Sequence, residues 1–431
     1  MKLALDFKKL TNSEFVKNVV KLSTGTAVSQ LITISASPIL SRLYTPKEFG
    51  NFAIYNGVLT VLVVFSTLRY ELGIVIARNK RQAFSLFYLS ILLSLVFFVI
   101  SLPLFFLLRE TIVTTFNLEN FDTILKLIPL GVLLLAIYQT INYLTNRNKK
   151  YSGIALSRML QTGLTAMVAI IYGLFSRGSI GLVLGNMLGV SASTLLLLKY
   201  NKLELVQFFK KVNPVRLKYS LKSYKDFPLY SVPSAFLDTF SSQVPIFLIT
   251  KFFESSFTGY YFLAYRVLSL PMILIGMSIG QVFYQKFSET YAQGGNCIKL
   301  LLKTWSHLAF IGIIPCLVIA IWGVEVFTFV LGSNWRMAGE IARPLSIMLF
   351  FVFISSPTST ALVVYRVQHY ALIDGVISLI YRPLSIYIGY LTKDLIRGLM
   401  IFAVAEIIKI IVYNLIVIIV ARKKRNELKQ L

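Results

Sequence analysis

Residues 18–77 read NVVKLSTGTAVSQLITISASPILSRLYTPKEFGNFAIYNGVLTVLVVFSTLRYELGIVIA. Two long apolar runs lie on either side of one short polar turn, TPKE (45–48). About 20 mostly apolar residues are enough for a helix to cross the hydrocarbon core of a bilayer. The stretch therefore predicts two membrane-spanning helices joined by a tight connection.

The rest of the chain repeats this pattern. Of its 431 residues, 56% are hydrophobic and 14% are charged, whereas soluble domains average about 45–50% apolar and about 25% charged residues. Apolar stretches of spanning length occur at residues 18–43, 49–77, 84–108, 123–146, 153–175, 179–199, 227–251, 257–285, 301–329, 341–365, 370–392 and 398–421. The sequence predicts an all-α polytopic membrane protein with about 12 transmembrane helices and no sizeable water-soluble domain.

The distribution of charge predicts the orientation of the chain in the membrane. The net charge of +25 arises from 43 basic and 18 acidic residues. With the N-terminus in the cytoplasm, the connections on that side carry 27 lysines and arginines, and those on the other side carry nine. Because cytoplasmic loops are rich in these residues, we expect both termini in the cytoplasm. Orientation and contact with anionic lipids then account for the charge, and no nucleic-acid partner is expected.

The longest connection, at residues 201–226, is basic and amphipathic. We expect it to lie as a cytoplasmic linker on the anionic inner leaflet. The predicted domains are an N-terminal six-helix bundle at 1–200, a C-terminal six-helix bundle at 227–421 and a basic cytoplasmic tail at 422–431. A shift of 209 positions superposes Gly50 on Gly259, which indicates a weak internal repeat of the two halves.

Four arginines fall well inside predicted membrane helices, where an ionisable side chain is costly and by default marks a site or a water-filled cavity. They are Arg69, Arg158, Arg266 and Arg382. We expect them to share a hydrated cationic cavity; the alternative is a set of isolated structural ion pairs. Asp238 and Glu71 could neutralise two of them, or could exchange a coupling ion. Glu406 and Lys409 are three residues apart on one helix and are expected to neutralise each other.

Polar side chains also follow one face of the first predicted helix. At spacings of three and four residues they are Ser23, Thr26, Gln30, Thr33 and Ser37. Such spacing is typical of one helical face. Helix seven has a similar stripe that includes Ser234 and Ser241. We expect the two stripes to line a central pathway, where their polar groups could meet sugar hydroxyls; the alternative is helix packing, in which small polar residues are common.

Neither a metal nor a cofactor is expected. The two cysteines, Cys297 and Cys316, and the two histidines, His307 and His369, do not cluster at the spacing of metal ligands. The chain also contains no Walker A motif, which argues against ATP hydrolysis by that route.

Several stretches resemble one known family over nearly the whole chain. They are SRLYTPKEFGNFAIY (41–55), LRYELGIVIA (68–77), NRNKKYSGIALSRMLQ (146–161), TGYYFLAYRVLSLPMILIGMSIGQVF (258–283) and LGSNWRMAG (331–339). Their order and spacing are similar to those of the polysaccharide flippases of the Wzx type, within the multidrug/oligosaccharidyl-lipid/polysaccharide exporter superfamily.

The resemblance implies two six-helix bundles, as in the MATE multidrug exporters, around a central cavity lined by helices one, two, seven and eight. It implies that an undecaprenyl-diphosphate-linked oligosaccharide moves from the inner to the outer leaflet of the bacterial cytoplasmic (inner) membrane by alternating access. This step belongs to the assembly of a cell-surface polysaccharide such as lipopolysaccharide O-antigen or exopolysaccharide, with other assembly proteins as partners. Arg69 and Arg266 lie on helices expected to line the cavity, and Arg158 and Arg382 do not.

Two other classes of protein stay open at this point. A membrane-embedded glycosyltransferase or oligosaccharide polymerase would need a substantial extracytoplasmic loop with catalytic acids or bases, and the longest outside loops, at about 109–122 and 330–340, are short. A cation-coupled small-molecule exporter of the same superfamily would favour carboxylates in its cavity, where this chain has mostly arginine. We therefore expect a transporter and not an enzyme.

Overall fold

The computed structural model describes residues 14–116, 118, 121–209, 213–365, 367 and 369–430, and the basic N-terminal segment at 1–13 lies outside them. Within these residues the regular structure is helical, without a β-strand. The predicted all-α class is therefore confirmed.

The α-helices of the described residues are α1 (Glu14–Leu43), α2 (Pro46–Ser66), α3 (Gly73–Ile76), α4 (Lys80–Leu107), α5 (Arg109–Thr115), α6 (Asp122–Arg147), α7 (Tyr151–Phe175), α8 (Ile180–Tyr200), α9 (Lys202–Phe209), α10 (Pro214–Ser223), α11 (Val232–Phe252), α12 (Ser255–Ala292), α13 (Cys297–Leu331), α14 (Arg336–Ser355), α15 (Thr358–Val364), α16 (His369–Leu391) and α17 (Leu395–Gln430). Each of the twelve predicted spans overlaps a helix of at least 20 residues. Nine candidate membrane spans in this part of the chain are long and apolar enough to cross a bilayer. The polytopic character is thus confirmed, and the number of crossings stays a prediction.

The second predicted span, at 49–77, is not one helix. α2 ends at Ser66, and Leu68 and Arg69 follow with φ angles of 50° and 61°. Left-handed backbone costs a non-glycine residue about 1–2 kcal/mol, so the surrounding packing must hold it in place. A 3₁₀ turn at Tyr70–Leu72 and the short α3 lead on to α4. The expectation of a continuous helix to residue 77 is therefore wrong.

The chain divides into two compact units. The first comprises the described residues up to Tyr44 together with Asn51–Thr239, and the second comprises Thr45–Gly50 and the described part of Phe240–Leu431. The basic segment after α8 forms α9 and α10, and both helices belong to the first unit.

An ion pair anchors α9 to the first unit. The Lys150 ammonium donates to the Glu204 carboxylate at 2.5 Å and to the Tyr200 carbonyl at 2.7 Å. Partial burial acts to raise the pKa of Glu204, but the hydrogen bond and the charge of Lys150 outweigh it and hold this pKa below its ordinary value. The chain that leaves α8 is therefore held against the start of α7.

The core of the first unit forms where α3, α4, α6 and α8 meet. Its fully buried side chains include Ile74, Leu86, Ile141 and Leu197, one from each of these helices. α1 and α7 approach even more closely, because a Cβ atom on Gly25 would lie only 2.5 Å from the Cβ atom of Ala155. This close approach requires glycine, and it brings the polar face of α1 next to α7.

Three of the stretches that carry the family resemblance pack together in the second unit. Trp335 is fully buried at this junction. Its ring lies edge-to-face against Phe49, with 5.1 Å between ring centroids, and against Tyr260, with 5.8 Å. Aromatic pairs in this geometry stabilise a fold beyond the area that they bury. The three stretches thus form one structural junction of the fold.

Two glycines lie at the same junction, and the 209-residue shift superposes them. A Cβ atom on Gly50 would lie 1.7 Å from the carbonyl oxygen of Ser255. A Cβ atom on Gly259 would lie 1.9 Å from the carbonyl oxygen of Pro46 and 2.9 Å from the amide nitrogen of Gly50. The starts of α2 and α12 are therefore in backbone contact, which no other residue type permits here.

We expect Gly50→Ala and Gly259→Ala each to destabilise the protein by about 3 kcal/mol or more, because the clashing atoms belong to the backbone and cannot move aside. Membrane abundance and the melting temperature in detergent measure this loss. Gly163→Ala is the matched control, since nothing lies within 4 Å of a Cβ atom there. Wild-type abundance of both junction variants would contradict the proposed backbone contact.

Candidate functional site

The first unit places Arg158 of α7 against the polar face of α1. The guanidinium donates through Nη1 to the Thr26 hydroxyl at 2.7 Å. Among the described residues, no carboxylate lies within 4.0 Å of this guanidinium. A guanidinium carries five N–H donors, so one bond to a neutral hydroxyl leaves most of them for another partner. Arg158 is thus a half-buried cation without an acidic neighbour in the described part of the chain.

Most hydroxyl groups of the predicted polar stripe on α1 are hydrogen-bonded to backbone carbonyls of the same helix. Hydroxyl groups donate to the carbonyl four residues earlier, at 2.7–3.0 Å, from Thr26, Ser29, Thr33 and Ser37. Such bonds use the hydroxyl hydrogen and leave the oxygen free to accept, as the oxygen of Thr26 does from Arg158. Thr26 and Ser37 are buried, and Ser23, Gln30 and Thr33 are half-buried.

Arg69 lies at the left-handed break after α2 and has an acidic partner. Its Nη1 atom lies 3.5 Å from Oε1 of Glu71, whose side chain is only 1% exposed. Within the described residues, neither carboxylate oxygen of Glu71 nor the hydroxyl of the buried Thr67 has a hydrogen-bond partner. The structure thus pairs one of the two predicted acids with one of the four predicted arginines.

The second unit contains a buried ionic network between α16 and α17. Glu406 accepts from Lys409 at 2.9 Å and from Arg382 at 3.3 Å, and it also accepts from the Tyr381 hydroxyl. Lys409 donates in addition to Asp374 at 3.2 Å. Two acids and two bases make the network neutral, as a buried charge cluster requires. The expected pairing of Glu406 with Lys409 is therefore confirmed.

The polar groups predicted on α11 have different surroundings. Ser241 is buried and accepts from Nη1 of Arg382 at 3.2 Å. Ser234 and Asp238 are exposed. The α11 stripe therefore contributes one group to the ionic network and leaves two accessible.

Arg266 on α12 resembles Arg158 in having no acidic partner. No carboxylate among the described residues lies within 4.0 Å of it. Its nearest favourable contact is the ring of Phe262, whose centroid lies 5.9 Å from Cζ. A cation over an aromatic ring at this distance gains modest electrostatic stabilisation. The half-buried charge of Arg266 thus has no acidic partner among the described residues.

The four predicted arginines therefore divide into two classes. Arg69 and Arg382 are paired with carboxylates, as the structural alternative expects. Arg158 and Arg266 have no carboxylate partner among the residues described, and each unit contains one of these two arginines. An unneutralised guanidinium suits an anionic ligand such as phosphate, which it binds through two parallel hydrogen bonds. In the described part of the chain, no group of three His, Cys, Asp or Glu side chains could hold a metal ion.

Sequence reasoning missed the partners of this network. Asp374 and Lys409 are 35 residues apart, and Arg382 and Glu406 are 24 apart, so neither pair has a signature of local spacing. Tyr381 was also missed, although its position next to Arg382 is a signal that could have been noted.

We expect Glu406→Ala to lower the stability of the protein by about 3–5 kcal/mol, because it leaves Arg382 buried without a carboxylate. The double variant Arg382→Ala/Glu406→Ala should recover most of this loss, since Lys409 keeps Asp374 as its partner. Membrane abundance and detergent melting temperature measure both effects. Arg397→Ala removes an exposed ion pair and should change stability by about 0–1 kcal/mol. A stable, abundant Glu406→Ala protein would argue against a structural role for the network.

The profile of one family, described as polysaccharide biosynthesis protein, matches residues 39–340. The teichuronic acid biosynthesis protein TuaB of Bacillus subtilis (strain 168) is 21% identical over 343 residues, which cover 78% of this chain and 67% of TuaB.

Two solved structures have the same fold. An inward-facing MATE family multidrug resistance transporter of the MOP superfamily matches with a TM-score of 0.71 and 15% identity, over 97% of both chains. The lipid II flippase MurJ, in its inward closed conformation, matches with a TM-score of 0.72 and 14% identity, over 94% of this chain and 90% of MurJ. The exporter fold expected from the sequence is therefore confirmed.

Proposed function

We propose that this chain, which belongs to the family of polysaccharide biosynthesis proteins, is a flippase for a lipid-linked saccharide. In this proposal it moves an undecaprenyl-diphosphate-linked oligosaccharide from the inner to the outer leaflet of the bacterial cytoplasmic membrane. Two likenesses support the substrate class: one relative is named for teichuronic acid biosynthesis, and one protein of the same fold is named a lipid II flippase.

The observation that carries the proposal is that neither Arg158 nor Arg266 has a carboxylate within 4.0 Å among the residues that the structure describes. A charge on a membrane helix is costly, and such residues by default mark a substrate or ion pathway. A neutral drug-like substrate would not compensate a guanidinium group at either position, whereas a phosphate group would compensate either one. The anionic head of a lipid-linked saccharide therefore fits these residues better than the substrate of a cation-coupled exporter.

The physical task of such a flippase is to replace water around the head group. A diphosphate and its sugar hydroxyls lose their hydration in hydrocarbon at a high free-energy cost. Guanidinium groups supply paired hydrogen bonds to phosphate oxygens. The hydroxyl oxygens on α1 supply acceptors for the glycan, and the exposed Ser234 hydroxyl on α11 supplies a donor and an acceptor. The polyprenyl tail stays in the lipid. Alternating access by movement of one bundle against the other would complete the cycle.

We expect Arg158→Ala and Arg266→Ala each to reduce export on the order of tenfold or more, because each removes charge-assisted hydrogen bonds to phosphate. Lysine at either position should retain part of the activity, since it keeps the charge without the planar fork. The measurement is surface glycan in cells in which this chain is the sole flippase, divided by its membrane abundance. The matched control is Arg336→Ala, at an arginine whose side chain is 74% exposed.

Normal export per molecule from the double variant Arg158→Ala/Arg266→Ala would refute this role of the arginines. Arg69→Ala is expected to act differently, because it leaves the buried Glu71 without its ion-pair partner and should lower abundance more than export per molecule.

A glycosyltransferase or polymerase is tested separately with a labelled lipid-linked saccharide in proteoliposomes. A flippase changes the leaflet of this lipid, whereas either enzyme changes its mass.

Ion coupling is proposed for one of the two predicted acids. Asp238 is exposed on α11, whereas Glu71 is buried, and beyond its ion pair with Arg69 neither of its oxygens has a hydrogen-bond partner in the described residues. A buried carboxylate in this state is stabilised by binding a proton or a small cation. We therefore favour Glu71 as the coupling acid.

We expect Glu71→Gln to abolish the dependence of export on a proton or sodium gradient, and Asp238→Asn to retain it. One charge that crosses a potential of 100 mV contributes about 2.3 kcal/mol, which is enough to bias a transport cycle. Export into vesicles with imposed gradients is the measurement. Wild-type gradient dependence in the Glu71→Gln protein would exclude this residue as the coupling site.

A further inference from the structure

A basic cleft of about 600 Å³ lies in the first unit, between the start of α4 and α10. Its size is typical of a small-molecule pocket. Three arginines line it, Arg78 and Arg81 on the α4 side and Arg216 on α10. None of the described residues that line it is acidic. None of the four arginines of the predicted membrane helices lines the cleft.

The cleft is a built feature, because α10 is packed against the rest of the first unit. The Tyr70 hydroxyl donates to the Leu221 carbonyl at 3.1 Å. Ser220 on the inner face of α10 is 1% exposed. Tyr224 stacks on Phe227, with 6.0 Å between ring centroids. These contacts hold the second wall of the cleft in place.

The exposed surface of α10 has the character of a membrane-surface helix, and it borders the cleft at Tyr219. Val215 is 73% exposed and Tyr219 is 64% exposed. Lys218 and Lys222 are exposed beside them. Apolar side chains next to lysines on one exposed surface are typical of helices that lie among lipid head groups. The loop charges predict this surface to be cytoplasmic, so the cleft would open at the head groups of the inner leaflet.

The start of α4 adds to the positive character of the cleft. The Asn79 side chain accepts from the backbone N–H of Gln82 at 2.8 Å and so caps this helix. The free N–H groups and the dipole at a helix N-terminus favour a negative charge nearby. Three guanidinium groups and this helix start therefore converge on one volume.

We propose that this cleft binds the phosphate group of a lipid head group in the cytoplasmic leaflet. Guanidinium groups bind phosphate oxygens in pairs, and basic pockets beside membrane helices on the cytoplasmic side are suited to anionic head groups. Two lipids offer this chemistry. One is the polyprenyl diphosphate of the substrate, which rests on the proposed function, and the other is an anionic phospholipid of the bilayer, which does not.

The test is a binding measurement on the purified full chain in detergent. Its ligands are farnesyl diphosphate, phosphatidylglycerol, inorganic diphosphate and the phosphate-free lipid diacylglycerol. The cleft variant is Arg78→Gln/Arg81→Gln, and Arg216→Gln tests the other wall. The matched control is Lys218→Gln/Lys222→Gln. It also removes two positive charges, but from exposed positions outside the cleft lining. Because Arg78 and Arg81 are exposed, we expect their variant to fold, and its melting temperature verifies this.

We expect the cleft variant to weaken the binding of at least one phosphate-bearing lipid on the order of tenfold, with little change in the control. A loss confined to farnesyl diphosphate identifies the substrate as the source, and a loss confined to phosphatidylglycerol identifies the bilayer. Unchanged affinities, an equal loss in the control, or cleft-dependent binding of inorganic diphosphate alone would overturn the proposal. The measurement needs no export, so its failure leaves the flippase proposal to the export assay of the Arg158 and Arg266 variants.

Discussion

The structure depends on one constraint: hydrocarbon solvates neither the backbone nor a charge. Helices of at least 20 residues satisfy the backbone in each predicted span. The same constraint explains why Glu406 is surrounded by Arg382, Lys409 and Tyr381. Without such partners, nothing would compensate the free energy of hydration that a carboxylate loses when it is buried. In the described part of the chain, a charged side chain that lacks a partner of opposite charge is therefore the feature that points to a functional role.

Much of the fold could be predicted because length and hydropathy are read directly from sequence. Most helix positions and the all-α class are confirmed by the structure, and the resemblance to a polysaccharide family is confirmed by the family match. The end of α2 could not be predicted in the same way. Apolar residues continue through Ile74 to Ala77, so hydropathy shows no boundary at Ser66. The break is a property of the backbone at Leu68 and Arg69, whose left-handed φ angles depend on tertiary packing.

The candidate site was predictable to the extent that its contacts are local. Glu406 and Lys409 are three residues apart, and helical geometry places such residues side by side. Arg69 and Arg158, in contrast, are equivalent by hydropathy and depth, yet one has a carboxylate partner and the other has a hydroxyl. A charged residue inside a predicted membrane segment is therefore a candidate for the functional site. Only the three-dimensional contacts show which arginines have a carboxylate partner.

This separation bears directly on how an anionic substrate would be selected. A diphosphate that approached Arg382 would have to compete with Glu406, which already holds that guanidinium at 3.3 Å. At Arg158 it would displace or share one hydrogen bond to the Thr26 hydroxyl, at much lower cost, because this hydroxyl carries no negative charge that competes with the phosphate for the guanidinium. The affinity of an arginine for a passing phosphate thus depends on what already neutralises it. In the proposed cycle, the arginines paired with carboxylates would stabilise helix packing, and the other two would bind and release the phosphate groups of the substrate.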